Sequence, residues 1–89
     1  MKEVYFTTHV RKRLNERHVT PKEIITVLKK SKWTLVKENR MRAQFTFPFS
    51  DFYKSRFFRW KKIRVIFIEE KARIVIVTVY TFFYNQEAL

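Results

Sequence analysis

Val19-Thr20-Pro21-Lys22-Glu23-Ile24-Ile25-Thr26-Val27-Leu28-Lys29-Lys30 is followed, from Trp33 onward, by a change of hydrophobic period from helical to twofold. Thr20 and Glu23 have the spacing of a capping box, and Pro21 occupies the first helical position, where its missing N–H costs nothing. Val19 and Ile24 are placed as a hydrophobic staple across that start. Ile24, Ile25, Val27 and Leu28 form the buried stripe. Lys22, Lys29 and Lys30 stay in water, the last two at the negative end of the helix dipole.

C-terminal to this helix, Trp33-Thr34-Leu35-Val36 reads as a strand and Glu38-Asn39 as a turn. Met41, Ala43, Phe45, Phe47 and Phe49 then alternate with Arg42, Gln44, Thr46 and Pro48, the pattern of a half-buried strand whose pairing Pro48 limits. Ser50-Asp51 is expected to open a connection reaching Arg56. Phe57–Ile68 is the next strand, with Ile63, Val65 and Phe67 on one face and Ile66 and Ile68 on the other. Glu69 to Ala72 forms a hairpin into a last strand, Arg73–Phe83. That strand is apolar on both sides, which predicts a central place in the sheet.

Towards the N-terminus, Val4–Phe6 gives a short strand, and Thr7 or Thr8 caps a helix running to about Arg17. Val10 and Leu14 are its apolar seam. The order β-α-α-β-β-β-β over a single domain, residues 1–89, predicts an α+β fold. Two N-terminal helices would pack on one face of a mainly antiparallel sheet of four to five strands.

The chain has 20 Lys+Arg against 8 Asp+Glu, a formal charge of +12, and 18% aromatic residues. Such a balance points to an anionic partner, and the aromatic content separates it from a disordered basic tail. No cysteine is present, which removes disulfides, thiol catalysis and thiolate metal sites, and two histidines do not make a zinc site. No metal and no cofactor is expected. Zero glycines excludes Gly-rich phosphate loops, and turns of positive φ must use Asn, Asp, His or Lys. The absence of a long apolar run or a signal-like N-terminus predicts a soluble, cytoplasmic chain with no membrane contact.

Three groups of residues could carry chemistry. His9, Arg13 and Arg17 recur at four-residue steps along one helix flank, where an imidazole could move a proton and guanidiniums could clamp phosphate. Spacing alone reads them as a solvated basic flank. Lys54, Arg56, Arg59, Lys61, Lys62 and Arg64 are interleaved with Phe57, Phe58 and Trp60. Cations of this kind track phosphates, and each aromatic stack on a base is worth about 1–3 kcal/mol. The aromatics read equally well as core or as a protein interface. Thr78 and Tyr80 share one side of the final strand; on their own they are an amphipathic strand end. His18 follows the first helix where a left-handed cap residue belongs, which is a turn role.

Taken together, His9, Arg13, Arg17, the Val19-Thr20 turn with Glu23, Arg64 and Thr78-Val79-Tyr80 resemble the signature of a family of small prokaryotic proteins. This is the domain of unknown function 4258 family, related to RelE/ParE-type toxins. The resemblance covers Thr8 to Tyr80. It implies a RelE-like fold, a toxin role in a toxin–antitoxin system, metal-independent RNA cleavage through the 2′-hydroxyl, and an acidic antitoxin as partner. It further implies His9 as general acid/base, Arg13 and Arg64 as phosphate holders, and Thr78 and Tyr80 completing the site.

Two departures from the family pattern stand out. His18 occupies a position where the family has glycine, and Phe45–Trp60 carries eight aromatics in sixteen positions. An exposed part of that segment would serve an antitoxin groove or a homodimer. The leading expectation is therefore a toxin-type ribonuclease acting on RNA, on or off the ribosome. The alternative is a non-catalytic basic module for nucleic-acid or protein binding. On the leading reading His9, Arg13, Arg64 and Tyr80 are catalytic, while Arg17, Lys54, Arg56, Arg59, Lys61, Lys62 and Thr78 bind RNA.

Overall fold

The computed structural model describes residues 1–86. The elements run β1 (Glu3–Phe6), α1 (Thr8–Glu16), α2 (Pro21–Lys30), β2 (Thr34–Lys37), β3 (Arg40–Tyr53), β4 (Arg56–Glu69) and β5 (Arg73–Tyr84). The α+β order is the one expected. The five strands form one sheet in the order β1-β5-β4-β3-β2. It is mixed, because β1 pairs parallel to the start of β5, Glu3 opposite Arg73 through Phe6 opposite Ile76. β5 is an interior strand, flanked by β1 and β4, although β4 is the middle strand of the five.

Thr7 caps α1, its side chain accepting from the Val10 N–H at 3.1 Å. The capping box of α2 is complete: Thr20 Oγ1 accepts from Glu23 N at 3.1 Å and Glu23 Oε1 from Thr20 N at 3.0 Å. A cap of this type contributes about 1 kcal/mol. His18, at φ 56°, turns the chain between the helices. Among the described residues the other positive-φ positions are Glu38, Ser50, Lys54 and Ser55, so serine and glutamate share a task expected of Asn, Asp, His and Lys.

Both helices lie on one face of the sheet. Val10 and Leu14, then Ile24, Val27 and Leu28, close over Ala43, Ile63, Val65, Phe67, Ile74, Ile76 and Val79, all buried. Trp33 meets Phe67 edge-on at 4.9 Å and donates from its indole to Leu28 O at 3.0 Å.

Of the segment expected to be a connection from Ser50 to Arg56, Ser50 to Tyr53 continues β3 and only Lys54-Ser55 is a turn. The β3 register shifts between Pro48 and Asp51, and pairing then resumes to Tyr53 opposite Arg56. This is a β-bulge, with Ser50 at φ 48°. The turn beyond it is Lys54-Ser55, both at positive φ. The result is one long, bent β3–β4 hairpin. Among the described residues no helix is long and apolar enough to cross a membrane.

Candidate nucleic-acid interface

Strand alternation divides β4 into two sets. Lys61, Ile63, Val65 and Phe67 are buried towards the helices, and Lys62, Arg64, Ile66 and Ile68 turn to the opposite side, where no helix packs among the described residues. Register carries that division across three strands. Arg42, Ile66 and Thr78 form one transverse row, Gln44, Arg64 and Tyr80 the next, and Thr46, Lys62 and Phe82 a third. None of the chain's acidic residues lies in these rows.

The rows are linked. Arg64 Nε donates to Gln44 Oε1 at 3.0 Å, and its guanidinium lies 4.9 Å from the centre of the Phe82 ring. Lys62 Nζ approaches the same ring at 5.3 Å. Thr46 and Tyr84 join hydroxyls at 3.2 Å. Tyr80 and Phe82 remain 43% and 39% exposed, large apolar rings left in water beside cations.

The outer edge of β5 is shared between two covers. β1 pairs with it only as far as Ile76, and from there the C-terminal end of α1 takes over. Arg17, which caps α1, donates from Nη1 to the Val79 carbonyl, while Thr81 Oγ1 donates back to the Arg17 carbonyl at 2.8 Å. The Arg17 guanidinium also stands 5.3 Å from the Tyr80 ring centre. Tyr80 therefore has Arg64 opposite it on β4 and Arg17 over its ring. Beside them is a cavity of about 180 Å³ lined by Arg17, Tyr53, Tyr80, Thr81, Phe82 and Phe83.

Tyr53 reaches this edge because the bulge bends the hairpin. Its ring stacks on Phe83 at 4.2 Å and 15°, and His18 meets it edge-on at 4.9 Å. At the tip Phe52 and Phe57 are exposed and pair at 5.6 Å. Lys54, Arg56 and Arg59 are exposed around them.

The sequence candidates are thus distributed over separate places. Arg17, Arg64 and Tyr80 come together, with Lys62 and Thr78 on the same sheet face. Lys54, Arg56 and Arg59 belong to the far part of the hairpin. Arg13 forms an ion pair with Glu16 at 3.4 Å. His9 is exposed in the first turn of α1, two helical turns, or about 12 Å along the axis, before Arg17. Lys61 faces the core: its Nζ lies 2.8 Å from Glu23 Oε2 and donates to His18 O at 2.9 Å.

Gln44, Phe82 and Tyr53 were not among the candidates. Twofold parity with Arg42 and Tyr80 points to the first two. Nothing in the local sequence announces the bend that delivers Tyr53.

Chemically, one guanidinium lies over the Tyr80 phenol, while a second and an ammonium lie over the neighbouring Phe82 ring, on an uncharged, partly apolar floor. The set can hold a phosphodiester by charge-assisted hydrogen bonds and present ring faces to bases. Among the described residues, no group of three or more His, Asp or Glu is placed to hold a metal ion.

No curated protein and no solved structure matches the chain. The family described as "Domain of unknown function (DUF4258)" matches residues 6–81, from the end of β1 to the edge residue Thr81, and the chain belongs to that family.

Proposed function

We propose that the protein is a toxin-type ribonuclease that takes single-stranded RNA on the open face of its sheet and cuts it without a metal. The observation that carries this reading is the pairing of Arg64 with Tyr80 across β4 and β5, with Arg17 over the tyrosine ring. A phosphodiester seated there would be bound by both guanidiniums, which are suited to the charge that grows on its oxygens during attack. The 2′-oxygen bonds to phosphorus as its proton passes to a solvent water. The P–O5′ bond breaks, and the leaving 5′-oxygen takes up a proton from solvent. The products are a 2′,3′-cyclic phosphate and a 5′-hydroxyl. The Tyr80 hydroxyl is the group at hand to hydrogen-bond the attacking or the leaving oxygen. Thr78 extends the same face for the next phosphate.

The RelE-like relationship and an acidic antitoxin complete this reading. A chain with formal charge +12 whose open face carries exposed rings invites an acidic protein that would cover both. The decisive experiment is RNA integrity with purified protein, with and without ribosomes, for the natural chain and for Arg64→Ala and Tyr80→Phe. Cyclic-phosphate ends that vanish in both variants support the reading. Intact RNA under all conditions overturns it.

A second reading, binding without cleavage, is favoured by the position of His9. The imidazole that the family resemblance would use as acid/base stands two turns from Arg17. Salt-sensitive RNA binding with no cut ends is its signature.

A further inference from the structure

We infer that the cavity at the outer edge of β5 receives one unstacked nucleobase of a single-stranded RNA, with the adjoining phosphates on Arg64 and Lys62 at its mouth. The inference rests on the RNA-binding reading above and adds to it where a base goes and what reads it.

Size is the first argument. At about 180 Å³ the cavity has the liquid volume of about six waters. Pockets that engulf a whole cofactor or drug-sized ligand hold about 300–1,000 Å³. One heteroaromatic ring system is what this space suits, the rest of the ligand staying outside. Four of its six lining residues are aromatic, Tyr53, Tyr80, Phe82 and Phe83, and bases stack on aromatic side chains whatever their identity.

The second argument is what lies at the mouth. Phe82 is both a wall of the cavity and the ring beneath Arg64 and Lys62. Tyr80 is likewise a wall and the cross-strand partner of Arg64. A ring held inside is thus attached to something that meets two cations immediately outside. A nucleotide has that build.

The third argument concerns the floor. The Val79 carbonyl points away from β4, since it accepts from Arg17. The two-residue repeat of a strand sends the N–H and C=O groups of Thr81 and Phe83 the same way. Among the described residues no strand pairs with β5 on that side beyond Ile76. These donors and acceptors can meet the Watson–Crick edge of a base, the mode by which single-stranded RNA is read. An extended peptide would compete for the same groups by adding a strand. It fits less well, because Arg17 occupies the Val79 carbonyl and β5 ends at Tyr84, leaving too short a run of free edge.

The test uses the full, isotope-labelled chain and two probe pairs. Nucleoside 5′-monophosphates are titrated against ribose 5-phosphate, with the amide signals of Thr81 and Phe83 followed by NMR. A short single-stranded RNA is compared in anisotropy with the same oligomer lacking its bases. The expected result is movement of both amides with the nucleotides and not with ribose 5-phosphate, and about tenfold tighter binding of the intact RNA. Tyr53→Leu, or Phe83→Leu if the first fails to fold, should narrow that gap and leave the base-free oligomer unaffected. Equal affinity for the two oligomers overturns the inference while the RNA reading stands. Amides that respond to an acidic extended peptide and not to nucleotides overturn it in favour of strand addition. If no RNA binds at all, the RNA reading falls, and static amides in the nucleotide titration then remove the cavity as well.

Discussion

Arg64 and Tyr80 face each other across β4 and β5, on the side of the sheet opposite α1 and α2. The pair joins a permanent cation to a phenol, and each can be altered without the other. Arg64→Ala should weaken single-stranded RNA binding about tenfold at low salt. It should also lower the slope of log affinity against log salt by about 0.7, the loss of one phosphate contact. Tyr80→Phe keeps the ring beneath Arg17 and removes only the hydroxyl. It should leave affinity within about twofold and reduce cleavage by about a hundredfold or more. Equal losses of binding and cleavage in Tyr80→Phe would assign the tyrosine to binding alone.

His9 offers a contrasting expectation. It is exposed and two turns from Arg17, so His9→Ala should change the cleavage rate by no more than about twofold under the Tyr80-centred mechanism. A loss comparable to that of Tyr80→Phe would show that RNA spans the α1 flank and brings the imidazole into play.

Lys61 should behave as a structural residue. It is 6% exposed and shared between Glu23 and the His18 carbonyl. Lys61→Ala leaves both partners without their cation. Because Glu23 retains 24% side-chain exposure, the cost should be about 2–3 kcal/mol rather than the full penalty of a wholly buried pair. Denaturant unfolding measures this. RNA affinity of the folded fraction should be unchanged. Glu23→Gln keeps the capping geometry and removes the charge, and in a double-mutant cycle with Lys61→Ala it should show coupling.

The hairpin turn gives a stabilising substitution. Ser55 sits at φ 66°, a left-handed conformation that costs a side-chain-bearing residue about 1–2 kcal/mol. Glycine removes that cost but enlarges the unfolded ensemble, which offsets part of the gain. Ser55→Gly should therefore raise stability by about 0.5–1 kcal/mol, seen as a higher denaturant midpoint at constant slope. A lower midpoint would mean the serine side chain contributes a contact that outweighs its backbone.

Much of this architecture was legible in the residues. Thr20-Pro21-Lys22-Glu23 marked the start of α2, Val10 and Leu14 the seam of α1, and twofold alternation the long strands. These are local signals, and they set the element order. The parallel docking of Glu3–Phe6 against Arg73–Ile76 was not legible, because four residues hold no record of a partner at the other end of the chain. Nor was the continuation of β3 past Pro48. A bulge conserves pairing where proline and Ser50-Asp51 advertise a break.

The candidate site divides in the same way. Arg64, Tyr80 and Thr78 could be read as one surface by parity. Lys61 could have been read as inward by the same rule, since it shares the register of Ile63, Val65 and Phe67. Its charge obscured the parity. Arg17 meeting Tyr80 depends on how α1 lies along the β5 edge, which no local pattern encodes.

Glu23 divides its two carboxylate oxygens between tasks of different range. Oε1 accepts from the Thr20 N–H at the start of its own helix, and Oε2 holds Lys61 on the middle strand. A one-residue slip of β4 would swing Lys61 outward, turn Lys62 inward and upset every position behind it. The helix start thus proofreads the sheet, because only the correct alignment brings the cation that its carboxylate is held ready to receive.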